Sequence, residues 1–272
     1  MGAIHIFAVL LAGGSAVLVC GQSQRGFAVS FIVPSDSTNQ DGNTYSFFPV
    51  IMQPFTMRYQ QVYAASEFSS LTNYVGGWVA QIVFRGDATN GTQVEVNMKI
   101  QVNFSTTLRG PDELSPVLAD NVGADDTVVF SGNLQTDVLG NTSGRLETFT
   151  SFGILQFSRF FYYNPTAGNL CLDIRVIQGN TNTNIFAVLD AWDRTNDSVS
   201  RVRGELDAIT GFPETIGLAT RLIMYPNPKL TVQRDTNSVT LVWPANPGKF
   251  SRPLKWHRFM GTHAAASTMM RS

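Results

Sequence analysis

The sequence predicts an all-β protein: an antiparallel, jelly-roll-like β-sandwich followed by a truncated C-terminal β-hairpin module. Three observations carry that prediction. First, residues 94–104 alternate without a break. Val94, Val96, Met98, Ile100, Val102 and Phe104 take one side, and Glu95, Asn97, Lys99, Gln101 and Asn103 take the other. A period of two sustained over that length is a strand with one wet and one dry face, not an amphipathic helix. Second, residues 155–177, LQFSRFFYYNPTAGNLCLDIRVI, contain two runs rich in aromatic and β-branched residues. Asn164-Pro165 and Gly168-Asn169 bracket a turn between them, so the pair reads as a central hairpin. Third, strand-like runs recur along the chain with no helical pattern between them. A parallel α/β fold needs a helix in each crossover and is excluded.

The 272 residues carry a formal net charge of -1, with 43% hydrophobic and 14% charged residues. That apolar content supports a large core. The charged fraction is low against the ~25% of ordinary soluble domains, and Asn, Thr, Ser and Gly supply the polarity. Near-neutral charge gives no electrostatic footprint for nucleic acid. The histidines are His5, His257 and His263. Residues 22–250 therefore contain none, which removes Ser-His-Asp and Cys-His nucleophile systems and imidazole-ligated zinc from the main domain.

In chain order, residues 1–21 read as a signal peptide. Their apolar run at 3–20 ends in Val19, Cys20 and Gly21, although the start holds only His5 where a basic residue is usual. A lipid anchor on Cys20 and a retained membrane anchor are the alternatives. Residues 22–53 read as an N-terminal loop region, in which 35–43 has no apolar residue. The β-sandwich is expected over 54–225. Within it, 65–71 suggests a helical turn, 74–84 a strand bent at Gly76-Gly77, 111–119 a short helix or turn, and 128–130 a brief strand ended by Gly132. Residues 132–146 read as a long loop, 185–189 and 216–225 as strands, and 198–211 as ambiguous. Pro226-Asn227-Pro228 reads as a stiff linker. Residues 226–250 then form a partial immunoglobulin-like or fibronectin-like hairpin, and 251–272 a disordered tail. If Cys20 leaves with the leader, Cys171 stands alone without a disulfide.

Several segments carry a family resemblance: Arg58-Tyr59-Gln60-Gln61-Val62-Tyr63, Asp120-Asn121-Val122-Gly123 with Asp125-Asp126-Thr127-Val128-Val129-Phe130, Phe161-Tyr162-Tyr163-Asn164-Pro165 with Gly168-Asn169-Leu170, and Asn237-Ser238-Val239-Thr240-Leu241-Val242-Trp243-Pro244. In this order they resemble a group of uncharacterised secreted bacterial surface proteins, some with PEP-CTERM-type sorting tails. The resemblance implies a secreted or cell-surface location in a bacterial envelope and no particular activity. Cys171 stands where the group is expected to have an aliphatic residue.

Candidate sites follow from residue type. Trp78, Trp192, Tyr162 and Tyr163 offer rings on which sugars stack; packing in the core is the competing role. Along a strand Phe160 and Tyr162 share one side, and Phe161 and Tyr163 the other. Asp120, Asn121, Asp125 and Asp126 are the candidate Ca²⁺ ligands, against hydrogen-bonded turn residues. Asn39, Asp41 and Asn43 around Gly42 match the opening of an EF-hand, but Phe48 stands where its Glu belongs. Asp173, inside an apolar strand, reads as a hydrogen-bonded structural acid, and Cys171 as a small buried hydrophobe. The expected function is an exported, non-catalytic surface or extracellular protein that binds a polysaccharide or cell-envelope component, touching membrane only through its leader or anchor. A glycoside hydrolase or lyase built on paired carboxylates is the alternative.

Overall fold

The computed structural model describes residues 28–47, 49, 55–88, 94–138, 146, 149, 155–179 and 188–227, with the backbone of strands at 5–10, 16–21, 231–235, 238–242 and 254–257. The first two strands, β1 (His5–Leu10) and β2 (Ala16–Gly21), pair with each other. They span the stretch read as a leader.

The body of the molecule is two packed antiparallel sheets, as expected. One holds β5 (Met57–Tyr63), β7 (Val94–Thr107), β8 (Thr127–Val138), β10 (Asn169–Gln178), β12 (Val199–Gly204) and β13 (Phe212–Glu214), in the order β13-β12-β5-β10-β7-β8. The other holds β3 (Val29–Val33), β6 (Gly77–Phe84), β9 (Leu155–Tyr163) and β15 (Thr220–Pro226), in the order β3-β15-β6-β9. A small third sheet, β14-β11-β4, joins Ile216–Leu218, Leu189–Asp193 and Thr44–Ser46. The chain crosses between the two large sheets at β5 to β6, β6 to β7, β8 to β9 and β9 to β10. Such repeated crossing gives the jelly-roll character.

Strand β7 shows why these residues make a sandwich. Val96, Met98, Ile100, Val102 and Phe104 are buried in the main core, while Glu95, Asn97 and Lys99 are exposed. Facing them across the layer are Val79 and Ile82 of β6, Phe157 and Phe161 of β9, and Leu222 and Met224 of β15. The Phe104 ring lies 5.7 Å from Phe157 and 6.0 Å from Phe161. The helical turn expected near 65 is a 3-10 helix at Ala65–Asn73 that seats Phe68 and Leu71 in the same core.

Several expectations are corrected. The two runs around Asn164-Pro165 are not a hairpin. Strand β9 pairs with β6, and β10 pairs with β5 and β7, so the turn is an arch between sheets. Both runs are extended and apolar, and that says nothing about which strand pairs with which. Strand β8 continues to Val138, through residues read as loop. It borders its sheet, so Ser131 and Asn133 sit exposed between buried Val129 and Leu134, and Gln135 is exposed beyond them. Part of the stretch read as N-terminal loop is sheet: β3 pairs with β15, and β4 with β11. The C-terminal hairpin, β16 (Thr231–Asp235) and β17 (Ser238–Val242), gains a third strand, β18 (Leu254–His257), from the tail read as disordered. Residues 258–272, the part of the expected loop at 139–145, and the expected strand residues 185–187 lie outside the described residues.

Truncating Phe104 to Ala is expected to cost about 3–5 kcal/mol through lost burial and a residual cavity. Lys99→Ala on the wet face of the same strand should fall within about 0.5 kcal/mol of the parent. Urea unfolding of both variants checks the face assignment.

Candidate functional site

The outer face of the four-stranded sheet carries the candidate site. Trp78 of β6 lies in register with Tyr162 of β9 on one side and Tyr225 of β15 on the other. Residues opposite one another in adjacent strands share a face, so three aromatic rings form one row across three strands. The Trp78 and Tyr162 rings lie 5.2 Å apart, tilted by 60°. Phe160, two residues before Tyr162 on the same side of β9, stacks on Tyr225 at 5.8 Å. Trp78 is 41% exposed and Phe160 46%. The Tyr162 hydroxyl donates to the Val75 carbonyl, which fixes that ring against the turn entering β6. Gly76 in this turn has φ of 72°, and a Cβ there would meet the Tyr163 carbonyl at 2.4 Å. Only glycine lets the turn come so close to β9.

The four predicted aromatic residues therefore divide. Trp78 and Tyr162 are on the open face. Tyr163 is buried, its hydroxyl donating to the Gly168 carbonyl at 2.9 Å and its ring edge-on to Phe68. Trp192 is 2% exposed, donates Nε1–H to Ser37 Oγ at 2.7 Å, and lies under the Arg194 guanidinium at 3.9 Å. Both serve packing. Tyr225 was missing from the sequence-derived set. Strand alternation places Phe160 beside Tyr162, but nothing local brings Tyr225 to them.

The acidic candidates at 120–126 each have their own partner. Asp120 accepts from Ser115 Oγ at 2.9 Å. Asn121 is buried, accepting from the Ser115 amide and donating to Gln60 Oε1 and the Ser115 carbonyl. Asp125 accepts from the Thr106 amide at 2.7 Å, and Asp126 takes both of its contacts from Asn103 Nδ2. These bonds tie the connection between β7 and β8 to the outer face of the larger sheet. Among the described residues, the acids that gather as a group of three are instead Asp41, Asp87 and Asp190, with one carboxylate oxygen of each within 4.8 Å of the others. There the Arg85 guanidinium supplies the positive charge, 2.5 Å from Asp190.

Asp173 is the structural acid expected. It receives both Nε and Nη2 of Arg58, at 2.5–3.1 Å, and Gln60 Nε2 at 3.1 Å. Its carboxylate is held inside a network rather than presented to a cleft. Cys171 is fully buried, and burial followed by the Asp173 charge pushes its thiol far above the usual range. No thiolate nucleophile is available there. Burial disfavours ionisation of Glu214, but Arg203 and Arg201 outweigh it and hold the carboxyl below the usual range.

Asp173→Ala should destabilise the fold by about 3–5 kcal/mol, because it strands the Arg58 guanidinium, whose side chain is only 14% exposed. Asp36→Ala, which breaks the exposed pair with Arg194, should cost less than about 1 kcal/mol. Thermal or chemical denaturation of the two variants separates a buried network from a surface contact.

In comparisons with known proteins, the chain matches no family model, no curated protein and no solved structure.

Proposed function

We propose that this is an exported, non-catalytic protein of the cell surface or extracellular matrix, and that it binds glycan on the outer face of its four-stranded sheet. The observation that carries the reading is the solvent-facing group of Trp78, Phe160, Tyr162 and Tyr225. Aromatic rings left exposed on a rigid sheet provide large apolar area at little entropic cost, and sugar rings present apolar C–H faces to such surfaces. Export rests on the apolar run at 3–20 with its small residues before position 22, and on the Asn-, Thr- and Ser-rich composition. The carboxylate-hydrolase reading finds less support. Asp173 and Asp190 are each held by an arginine, and Asp190 is fully buried.

A panel of insoluble and soluble polysaccharides tests the assignment by pull-down and calorimetry. Trp78→Ala and Tyr162→Ala should each weaken binding by about 3- to 10-fold, as expected for the loss of one stacked ring. Binding to no member of the panel sinks the proposal. Release of reducing ends that disappears in a carboxylate variant would instead favour the hydrolase.

A further inference from the structure

Residues 35–43 lie between β3 and β4 as a strap over the sandwich, and the contacts that hold them converge on one buried cluster. Arg85, at the end of β6, donates to the carbonyls of Ser37 and Gln40, both at 2.6 Å. The same guanidinium reaches Asp190 Oδ2 through Nε at 2.8 Å and Nη2 at 2.5 Å. Asp190 Oδ1 in turn accepts from the Gly42 amide at 2.6 Å. A Cβ on Gly42 would lie 1.9 Å from the Ala191 carbonyl oxygen and 2.5 Å from Asp190 Oδ1, so only glycine brings the strap this near. Asp41, beside Gly42, and Asp87, two residues after Arg85, complete the group.

Among the described residues, Asp41 and Asp190 both draw on the one Arg85 guanidinium. Arg85 and Asp190 are essentially removed from water, with side-chain exposures of 1% and 0%. Among the described residues, the other cations of the neighbouring elements are engaged elsewhere. Arg194 of the segment after β11 is paired with Asp36 on the exposed side of the strap. Arg201 of β12, bonded to Ser46 Oγ of β4, is paired with Glu214. Arg221 of β15 is directed at the Phe149 carbonyl and ring. The remaining charged neighbours among the described residues are acids: Asp193, which accepts from Thr215, and Glu67, which accepts from the Ser35 amide. Asp41 Oδ1 is itself buried and finds no hydrogen-bond partner among the described residues. Carboxylates crowded in this way cannot all ionise at ordinary cost, and a shared proton removes one charge while giving a bare oxygen a bond.

We propose that the Asp41–Asp190 pair retains a proton across the mildly acidic range, and that the strap at residues 35–43 loosens as this proton is lost on the way to neutral pH. The direction follows from burial. Desolvation, then the Asp87 charge, raises the Asp41 carboxyl; desolvation raises Asp190 to about 7 despite the opposing Arg85. A carboxyl freed into water titrates near its ordinary value of about 4. The closed strap therefore holds a proton that the open strap releases. Closure is most favoured in acid, weakens as pH rises from about 4 toward 7, and is level above that.

Hydrogen exchange on the full chain between pH 4.5 and 8, expressed as protection factors for the amides of residues 35–43, tests this directly. The opening ratio should rise by up to about tenfold per pH unit and then reach a plateau near pH 7, as for one proton. Asp41→Asn should flatten the profile. Asp87→Asn, which keeps the pair but removes its neighbouring charge, should make it shallower and stands in if the first variant does not fold. Asp197, raised to about 6 chiefly by burial, gives a pH response elsewhere that neither variant should alter. A flat parent profile, or an Asp41→Asn profile that matches the parent, overturns the proposal. So does re-closure at pH 7 on adding calcium alone, reversed by EDTA, since a cation would then supply the missing charge.

Discussion

The constraint on which this structure depends is that the inner strands of two stacked sheets each have one side with no access to water. That side must be apolar, or every polar atom on it must find a partner. Strand β7 meets the demand with side chains of one kind. Strand β5 meets it differently. Gln61 is fully buried on its inner side, yet it donates to the Leu218 carbonyl and Thr220 Oγ1 and accepts from the Leu218 amide and the Tyr59 hydroxyl. Each hydrogen-bonding position of that amide is used, so it ties β5 to the strands that follow β13 instead of weakening the core.

The same constraint assigns opposite roles to chemically similar residues. Tyr162 and Tyr163 are neighbours in sequence and lie on opposite sides of β9, one on the open aromatic face and one under Phe68. Trp78 and Trp192 divide likewise. Trp192 is covered because the strap crosses it and gives Ser37 to its indole N–H, whereas nothing among the described residues covers Trp78 to that degree. Ring type therefore carries less information than the position of the next layer.

Acidic residues divide by the same logic. Asp120, Asp125 and Asp126 sit on a connection at the surface, where amides and hydroxyls of the loop and of β7 satisfy them. Asp173 points outward from β10 but is enclosed by Arg58, Gln60 and the loop that carries Leu118. Asp190 lies on the short strand β11, where the strap, β6 and β14 meet, and so it is drawn into a cluster with acids far away in sequence. Local density of carboxylates, the feature visible in the sequence, marks the turn; spatial density marks the strap.

Alternation within single strands was enough to give the all-β class, the wet and dry faces of β7 and the grouping of Phe160 with Tyr162. Those properties depend on the geometry of neighbouring residues, which the chain carries wherever it goes. Which strand pairs with which, the arch at Asn164, the continuation of β8 past Gly132 and the incorporation of β3 and β4 were decided only by tertiary packing. So were the aromatic row that adds Tyr225 and the cluster of Asp41, Asp87 and Asp190. These join residues up to roughly 150 positions apart. Their energy comes from layers closing on one another, and periodicity along one segment contains no record of its partner.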